Sequence, residues 1–220
     1  MSQNWFIEIE PFSHPFTCMI VGPTQCGKTF FLKSVLDDYK SLIKPIPNKI
    51  FYCYNQWQPL FESFKLSIPS INFNEGIMDL TSINENDTNL VIFDDLMTDC
   101  IKNEHIMNLF TVGSHHKNTS VFFITQNIFS KGKYSRDISL NSNSLILFNN
   151  PRDKLQLSIL ARQMYPGDVN FFIESFKDAT KSPHGYLFLD LKQNTEEKNR
   201  VQTGILPLQK RILYTQSKII

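Results

Sequence analysis

The sequence predicts an α/β fold in which a mostly parallel central sheet is flanked by helices. Short apolar runs bounded by turn residues alternate with segments of helical periodicity, which is the order expected of parallel strands joined by crossover helices. The composition agrees with this class. A chain of 220 residues that is 41% hydrophobic and 20% charged is typical of a globular protein with one sizeable core.

Six apolar runs predict the buried strands of this sheet. They are FTCMIV (16–21), KIFYCY (49–54), NLVIFDDL (89–96), SVFFIT (120–125), SLILFN (144–149) and GYLFLDL (185–191). A seventh segment, WFIEIE at 5–10, alternates more loosely between apolar and polar residues. Residues 55–88 are rich in Asn, Ser and Pro, and we expect loops there with one short helix.

Four segments predict the helices. Residues 28–43 place apolar side chains at helical spacing before Pro45, and a further helix is expected around 103–112. Residues 153–165 and 168–176 follow the same period and are separated by Pro166 and Gly167. The apolar positions of the first segment are Leu32, Val35, Leu36, Tyr39, Leu42 and Ile43.

Charge and cysteine content exclude several classes of protein. The net charge of +1 does not indicate a nucleic-acid binder, so any DNA contact must come from a local patch or from several subunits together. The four cysteines form no CxxC pair, which predicts a reducing compartment without disulfides or a thiolate metal site. No apolar run approaches the ~18 residues of a membrane span, and the first residues lack the pattern of a secretory signal.

The chain predicts one main domain with a short appendage. Residues 1–191 contain all the strand and helix patterns described above, and we predict that they form the catalytic domain. From residue 192 the chain becomes polar, with Lys198, Arg200, Lys210, Arg211 and Lys218. We therefore predict that residues 192–220 form a surface tail or docking arm.

The motif GPTQCGKT at 22–29 predicts a phosphate-binding loop, because it fits G-x-x-x-x-G-K-[ST] between a buried strand and an amphipathic helix. Its glycines permit backbone conformations in which successive N–H groups face phosphate oxygens. Lys28 is expected to reach the β- and γ-phosphates, and the Thr29 hydroxyl to bind Mg²⁺. The alternative is an ordinary glycine-containing turn. The residues predicted to bind the nucleotide are Gly22, Pro23, Thr24, Gln25, Cys26, Gly27, Lys28 and Thr29.

Cys26 fills a position of this loop where small residues are usual, and one interpretation is that only its small size matters. Its place beside a helix N-terminus predicts that the thiolate is favoured and that alkylation inhibits the protein.

Two acidic residues follow the strand LVIF at 90–93. A nucleotide hydrolase needs a carboxylate near the metal at the end of a strand, and we assign this role to Asp94. Asp95 is then expected to orient or deprotonate the attacking water. The alternative is a simple Asp-Asp turn after a strand.

The strand at 120–125 ends in Thr125, Gln126 and Asn127. An amide can donate to a phosphate oxygen and accept from water without a change of charge, so Gln126 is expected to sense the γ-phosphate, with Asn127 second. This role requires that the strand lie between the phosphate-loop strand and the acidic strand. The alternative is that the amides only cap the strand.

Together these segments resemble the viral genome-packaging ATPases of the FtsK–HerA superfamily, most closely those of polinton and adintovirus type elements. The segments that carry the resemblance are HPFTCMIVGPTQCGKT (14–29), LVIFDDL (90–96), GSHHKNTSVFFITQNIF (113–129), SRDISLNSNSLILFNNPRDK (135–154) and LARQMYPGD (160–168). The loop departs from the Gly-Ser often found at Gln25–Cys26, and Asp95 stands where many relatives have Glu.

The resemblance implies a P-loop NTPase core of the ASCE type, a homo-oligomeric ring, and ATP- and Mg²⁺-dependent movement of double-stranded DNA into a capsid. A capsid or portal protein is the implied partner, and no membrane is involved. The implied location is inside the host cell, in the nucleus or at the site of viral assembly, or in the virion.

The resemblance also implies an arginine finger that reaches the neighbouring subunit's ATP and stabilises charge on the transferring phosphoryl group. The candidates are Arg152, ranked first because it follows a strand end, then Arg136 and Arg162. For the DNA, the candidates are His115, His116 and Lys117 before the 120–125 strand and KGKYSR (131–136) after it. In a ring, one such cation per subunit forms a circle of charge that follows phosphates without reading bases. Each stretch is otherwise a solvated loop.

Two other functions remain open from the sequence. A P-loop kinase for a small acceptor would need an arginine-rich lid, and no segment matches one unless Arg136 and Arg152 belong to it. A non-hydrolysing ATP-binding adaptor would not need Asp94, Asp95 and Gln126.

Overall fold

The computed structural model describes residues 12–216. Its strands are β1 (Phe12–Ser13), β2 (Thr17–Val21), β3 (Ile43–Lys44), β4 (Lys49–Tyr54), β5 (Ile71–Glu75), β6 (Asn89–Asp94), β7 (Thr119–Thr125), β8 (Ser144–Phe148), β9 (Tyr186–Asp190), β10 (Val201–Thr203) and β11 (Ile212–Tyr214). Its helices are α1 (Lys28–Asp37), α2 (Tyr39–Leu42), α3 (Leu60–Ser67), α4 (Met97–Cys100), α5 (Glu104–Asn108), α6 (Ser114–His116), α7 (Ser135–Leu140), α8 (Leu155–Met164) and α9 (Val169–Ala179).

Within these residues, nine strands form one sheet in the order β11-β10-β9-β8-β2-β7-β6-β4-β5. The six strands from β8 to β5 are parallel, whereas β9, β10 and β11 extend the sheet in antiparallel fashion. The short strands β1 and β3 form a separate parallel pair. The predicted fold class, a mostly parallel sheet flanked by helices, is confirmed.

Two apolar layers cover the faces of the sheet. Alternate residues of each central strand face opposite layers, and for this reason the strands read as continuous apolar runs. In β2, Cys18 and Ile20 pack with α1 and α3, while Met19 and Val21 pack with α8 and α9. The helical face predicted for residues 28–43 is confirmed at Leu32, Val35 and Leu36, which are buried in α1. The other three predicted positions lie outside this helix, Tyr39 and Leu42 in α2 and Ile43 in β3.

Two of the helix predictions differ from the structure in extent. The first predicted helix ends at Asp37, and a separate turn, α2, precedes β3. The helix expected around 103–112 is α5 followed by a wider π turn at Leu109–Gly113. Gly113 permits this turn, because a β-carbon there would lie 2.8 Å from the carbonyl oxygen of Asn108.

Two segments that we predicted to be irregular contain strands: residues 71–75, and the segment from residue 192. Residues 71–75, expected to be a loop, form the edge strand β5, which pairs with β4 from Ile50 opposite Ile71 to Tyr54 opposite Glu75. Only Ile71 of this strand is buried, so the sequence INFNE carries little apolar signal. The alternating segment at 5–10 lies outside the described residues.

The segment from residue 192 also joins the sheet in its described part. Strand β10 pairs with β9, and β11 pairs with β10. Val201 and Gln202 are buried, although the strand is only three residues long. These strands are too short to show the alternation of apolar and polar residues that indicates a strand. The prediction of a tail therefore followed from the polar composition alone. The domain boundary at 191 stays a prediction. Among the described helices, none has the length and apolarity to cross a membrane.

Candidate active site

The central strands bring the predicted site residues to one edge of the sheet. Strand β7 lies between β2 and β6, with Thr125 opposite Val21 and Ile124 opposite Asp94. The position that the role of Gln126 requires is therefore present. Because these strands are parallel, the segments that follow them all emerge at the same edge, which we call the carboxyl edge. Ligands of open α/β sheets bind at such an edge.

The phosphate loop connects β2 to α1 at the carboxyl edge. Gln25 and Gly27 have positive φ angles of 65° and 111°, which turn the chain sharply before the helix begins. The Lys28 ammonium donates to the carbonyl oxygens of Gly22 at 2.6 Å and Pro23 at 2.8 Å. These bonds hold the ammonium at the loop that is predicted to carry the phosphates.

Close contacts leave no room for a side chain at either glycine of the motif. A β-carbon on Gly22 would lie 2.6 Å from Cys26 Sγ and 2.7 Å from Phe148 Cβ. A β-carbon on Gly27 would lie 2.9 Å from Nδ1 of His184, and the φ angle of Gly27 is one that side chains rarely adopt. No other residue fits at either position without a shift of its neighbours.

The two titratable groups of the loop are affected chiefly by burial. Burial raises the pKa of the Cys26 thiol, and the smaller effect of the Lys28 charge lowers it. The expectation that the thiolate of Cys26 is favoured is therefore wrong, because loss of hydration outweighs the nearby positive charge. Burial also lowers the pKa of Lys28, while Cys26, Asp94 and Asp95 oppose this effect.

Asp94 ends β6 in a buried position, and it accepts a hydrogen bond of 2.7 Å from the hydroxyl of Tyr52. Burial raises the pKa of Asp94, and this bond offsets part of that rise. Asp95 is exposed and has a positive φ of 55°, so the chain turns outward directly after the buried carboxylate. The contact of Tyr52 with Asp94 was not predicted from the sequence, because the residues beside Tyr52 in β4 do not indicate that its hydroxyl bonds to Asp94.

The three polar residues at the end of β7 have different roles. Thr125 is buried and accepts from the N–H of Asn127 at 3.3 Å, so it caps the strand. Asn127 Oδ1 accepts from Gln156 Nε2 at 3.0 Å, which ties this loop to α8. Gln126 is exposed, and within residues 12–216 its side chain makes no hydrogen bond. The carboxamide of Gln126 is therefore available to a ligand, whereas the oxygen of the Asn127 carboxamide is already bonded to Gln156.

Gln156 is a second residue that the sequence analysis missed. Its Oε1 accepts from the backbone N–H groups of Ile128 at 2.7 Å and Phe129 at 3.1 Å. The same side chain donates to Asn127 and Asp153. It fixes the segment that follows Gln126. An isolated glutamine in an amphipathic helix carries no sequence signal for this role.

A cavity of about 630 Å³ opens beside the phosphate loop at the ends of β2, β7 and β8. Gly22 and Gln126 line it on the side of the loop, Phe148 and Phe176 supply apolar surface, and Lys177 and Lys181 add positive charge. The sequence analysis did not predict this cavity, because one wall comes from α9, whose residues lie far along the chain from the phosphate loop.

The three candidate arginines are all exposed, but they lie in different places. Arg152 belongs to the loop that follows β8 at the carboxyl edge. Arg136 lies in α7, and Arg162 lies in the last turn of α8. At a rise of ~1.5 Å per residue, Arg162 lies about 10 Å along the α8 axis from the first residue of that helix.

The two basic stretches lie at opposite ends of β7. Residues 113–118 precede its first residue, and 131–136 follow its last, so about 20 Å of strand separates them. The Lys117 ammonium donates to the Leu80 carbonyl oxygen at 2.7 Å. Lys131, Lys133 and Arg136 are exposed. The stretch at 131–136 therefore presents more accessible charge.

Comparison with known proteins supports this assignment of the fold. The profile of the family described as "Poxvirus A32 protein" matches residues 6–135. No curated protein sequence gives a significant match. The resemblance to viral packaging proteins that the motifs carry is confirmed by the family match.

Solved structures of the genome packaging NTPase B204 from Sulfolobus turreted icosahedral virus 2 share the fold. The ATP-gammaS complex has a TM-score of 0.56 and 11% identity, and the alignment covers 86% of this chain and 96% of that one. A second structure is that of B204, the DNA-packaging ATPase from Sulfolobus turreted icosahedral virus. It has a TM-score of 0.52 and 14% identity, and the alignment covers 92% of this chain and 98% of that one.

Proposed function

The chain belongs to the poxvirus A32 protein family, and from this premise we propose that it is the subunit of a motor that packages double-stranded DNA into a viral capsid with energy from ATP. One observation carries the proposal. The sheet order places the phosphate loop, the acidic pair and Gln126 on adjacent strands at one edge. A protein that only bound nucleotide would need the loop and not the other two. The solved structures that share this fold include a genome packaging NTPase and a DNA-packaging ATPase.

The chain's own residues fit a nucleotide with its metal. The loop presents main-chain N–H groups and Lys28, and the buried Asp94 lies two strands away at the same edge. Thr29 and Asp94 would hold Mg²⁺, which neutralises charge on the phosphates when bound. Within the described residues no cluster of three or more His, Cys, Asp or Glu could hold a metal alone. The phosphates must then supply further ligands, as is usual for Mg²⁺.

Hydrolysis needs an activated and positioned water. The exposed carboxylate of Asp95 would accept its proton or orient it. The carboxamide of Gln126 would donate to the γ-phosphate and accept from the same water. Asp94 is buried and its carboxylate accepts from Tyr52, so we assign it to the metal and not to the attacking water. The two aspartates thus divide the roles of metal association and water activation.

A ring would complete the site. We assign Arg152 as the residue that reaches the ATP of the adjacent subunit, because it is exposed and its loop follows β8 at the carboxyl edge. Its charge would stabilise the transferring phosphoryl group. Arg136 and Arg162 are the alternatives.

The DNA contact is assigned to residues 131–136. Lys131, Lys133 and Arg136 are exposed, and the segment begins a few residues after Gln126, which lines the cavity beside the phosphate loop. A change at Gln126 on hydrolysis would therefore reach the basic segment through a short connection. Contact with phosphates alone makes the binding independent of sequence. A capsid or portal protein would receive the DNA, inside the host cell or in the virion. The strands after residue 192 would be a docking site for it.

The first test is steady-state phosphate release with Mg²⁺-ATP, with and without long double-stranded DNA. The wild type should hydrolyse ATP faster with DNA, and Lys28→Ala should lose this turnover. Lys33→Ala is the matched control, because Lys33 lies one and a half turns further along α1 and is bonded to Asp37 at the surface.

Each other outcome points away from the motor. Turnover that is indifferent to DNA favours a kinase for a small acceptor, which phosphate transfer to a nucleoside would then identify. Tight ATP binding without turnover, even with procapsids added, favours an adaptor.

A further inference from the structure

The connector between α9 and β9 places an imidazole on the phosphate loop. His184 lies in this connector, and its Nδ1 is 3.1 Å from the carbonyl oxygen of Cys26. The same ring lies against Gly27, where an added β-carbon would be 2.9 Å from Nδ1 and 3.2 Å from His184 Cβ. The contact joins residues that are 158 positions apart, so the sequence motif gave no indication of it.

The chemistry of this contact fixes the direction of the proton. A carbonyl oxygen can only accept, so Nδ1 must carry the hydrogen and donate it to Cys26. The peptide between Cys26 and Gly27 is planar, and in a trans peptide the C=O and N–H point in opposite directions. A carbonyl held toward His184 therefore directs the Gly27 N–H away from His184, toward the other side of the loop.

The connector is built to hold this position. His184 has a positive φ of 61°, a conformation that is unfavourable for a residue with a side chain and is retained where the surroundings enforce it. The N–H of Gly185 donates to Ser182 O at 2.9 Å and closes the turn. A β-carbon on Gly185 would lie 2.5 Å from the carbonyl oxygen of Ala179, so the turn is also packed closely on the end of α9.

We infer that His184 is a positioning residue of the phosphate loop: its Nδ1–H holds the Cys26 carbonyl outward so that the Gly27 N–H faces the phosphates. The inference rests on the proposed binding of ATP at this loop. His184 is assigned no contact with the nucleotide and no proton transfer. Its effect is on how well the loop is organised before the nucleotide arrives.

The test measures nucleotide affinity directly, by calorimetric titration of the full chain with Mg²⁺-ATPγS. His184→Ala removes the donor and should weaken binding about 3- to 10-fold, as expected for the loss of one hydrogen bond. His184→Asn keeps an N–H donor at a similar distance from the backbone and tolerates positive φ, so it should restore affinity to within about 2-fold of the wild type. His105→Ala, at an exposed site on α5, should bind as the wild type does.

Melting temperatures separate positioning from folding. His184 is exposed, so all three variants should unfold within a few degrees of the wild type. Affinity unchanged in His184→Ala, or no better in His184→Asn than in His184→Ala, would overturn the inference. Lys28→Ala distinguishes this failure from a failure of the proposed function. If Lys28→Ala also binds as well as the wild type does, ATP is not bound at this loop and both proposals fail.

Discussion

At the amino edge of the sheet, where the central strands begin, polar side chains bond to one another, whereas at the carboxyl edge several remain open. At the amino edge the His14 ring bonds to Ser120 and to Asn118, and Asn118 donates to the Asp87 carbonyl oxygen at 2.9 Å. Asn89 donates to the same oxygen at 2.9 Å. At the carboxyl edge, Asp95 and Gln126 are exposed, and neither side chain has a hydrogen-bond partner within the described chain.

The backbone conformation also differs between the two edges. Positive φ angles occur at the carboxyl edge in Gln25, Gly27, Asp95 and His184, and at the amino edge in Asn118. Asn, Asp and His adopt this conformation more easily than other residues with a side chain, so the clearest strain is at Gln25 on the carboxyl edge, and the amino edge carries little. Strained backbone next to unbonded polar groups is typical of a ligand site, whereas a saturated network is typical of a scaffold. The comparison predicts that changes at the two edges affect activity and stability separately.

The largest effect is expected for Arg152. Arg152→Ala should lower kcat by about 10³-fold or more, because an arginine finger supplies that much to phosphoryl transfer. If Arg152 acts on the adjacent subunit, mixing Arg152→Ala with Lys28→Ala should restore turnover, although each alone is inactive. A Lys28→Ala subunit supplies an intact arginine to the intact loop of its Arg152→Ala neighbour, and about a quarter of the interfaces in a random ring pair them in this way.

Arg136→Ala and Arg162→Ala are the matched controls for this experiment, since both residues are exposed. Either one could replace Arg152 in the assignment if its variant were inactive and complemented Lys28→Ala. A mixture that stays inactive would show that the arginine acts within its own subunit or not at all.

Asp95→Asn should lower kcat by about 10²- to 10⁴-fold and change KM by less than about 3-fold, because it removes a base and leaves binding intact. Asn suits the positive φ at this position, so the backbone should not move. Asp99→Asn, at an exposed site in α4, should leave both constants as they are. Steady-state kinetics give the two constants. A rise in KM with kcat unchanged would assign Asp95 to binding.

At the amino edge, Ser120→Ala should affect stability and not activity. Ser120 is fully buried, accepts from the N–H of Phe16 at 3.2 Å and bonds to His14, so its removal leaves the buried N–H of Phe16 without this acceptor and breaks one bond of the amino-edge network. The cost should be about 1–3 kcal/mol of unfolding free energy, measured by urea denaturation. Ser70→Ala, at an exposed site, is the control. A loss of kcat at temperatures where Ser120→Ala stays folded would contradict the separation of the two edges.

The sequence predicted the central strands and the loop because both have local signals. The strands are apolar runs with two buried faces, and the phosphate loop, Asp94 and Gln126 directly follow such runs. The strands β5, β10 and β11 were not predicted because they are polar or short. They become strands by hydrogen bonding to neighbouring strands, which the local sequence does not show. Tyr52 and His184 were missed because their partners lie 42 and 158 residues away. No local pattern can predict such contacts, since the fold alone brings these residues together.

The smallest effect is expected for Asp94, because burial of its carboxylate at the site lowers the stability of the folded protein. In the unfolded chain the carboxyl of Asp94 titrates near 3.8, and burial raises its pKa in the folded protein. The folded state therefore binds this proton more tightly. The contribution of Asp94 to stability is full below pH 3.8 and falls as the pH rises through the folded pKa. Asp94→Asn has no charge to bury and can still accept from the Tyr52 hydroxyl.

Asp94→Asn should therefore melt above the wild type at pH 7, by roughly 2–4 °C for each kcal/mol relieved, while it loses hydrolysis. The difference should narrow as the pH is lowered toward 3.8. Tyr52→Phe is the opposite control, because it keeps the ring and removes the donor, and it should melt below the wild type by more at pH 7 than at pH 5. Melting curves without nucleotide between pH 4.5 and 8 measure both. If Asp94→Asn melted below the wild type at every pH, the carboxylate would be a stabilising part of the scaffold, and the carboxyl edge would resemble the amino edge at this residue.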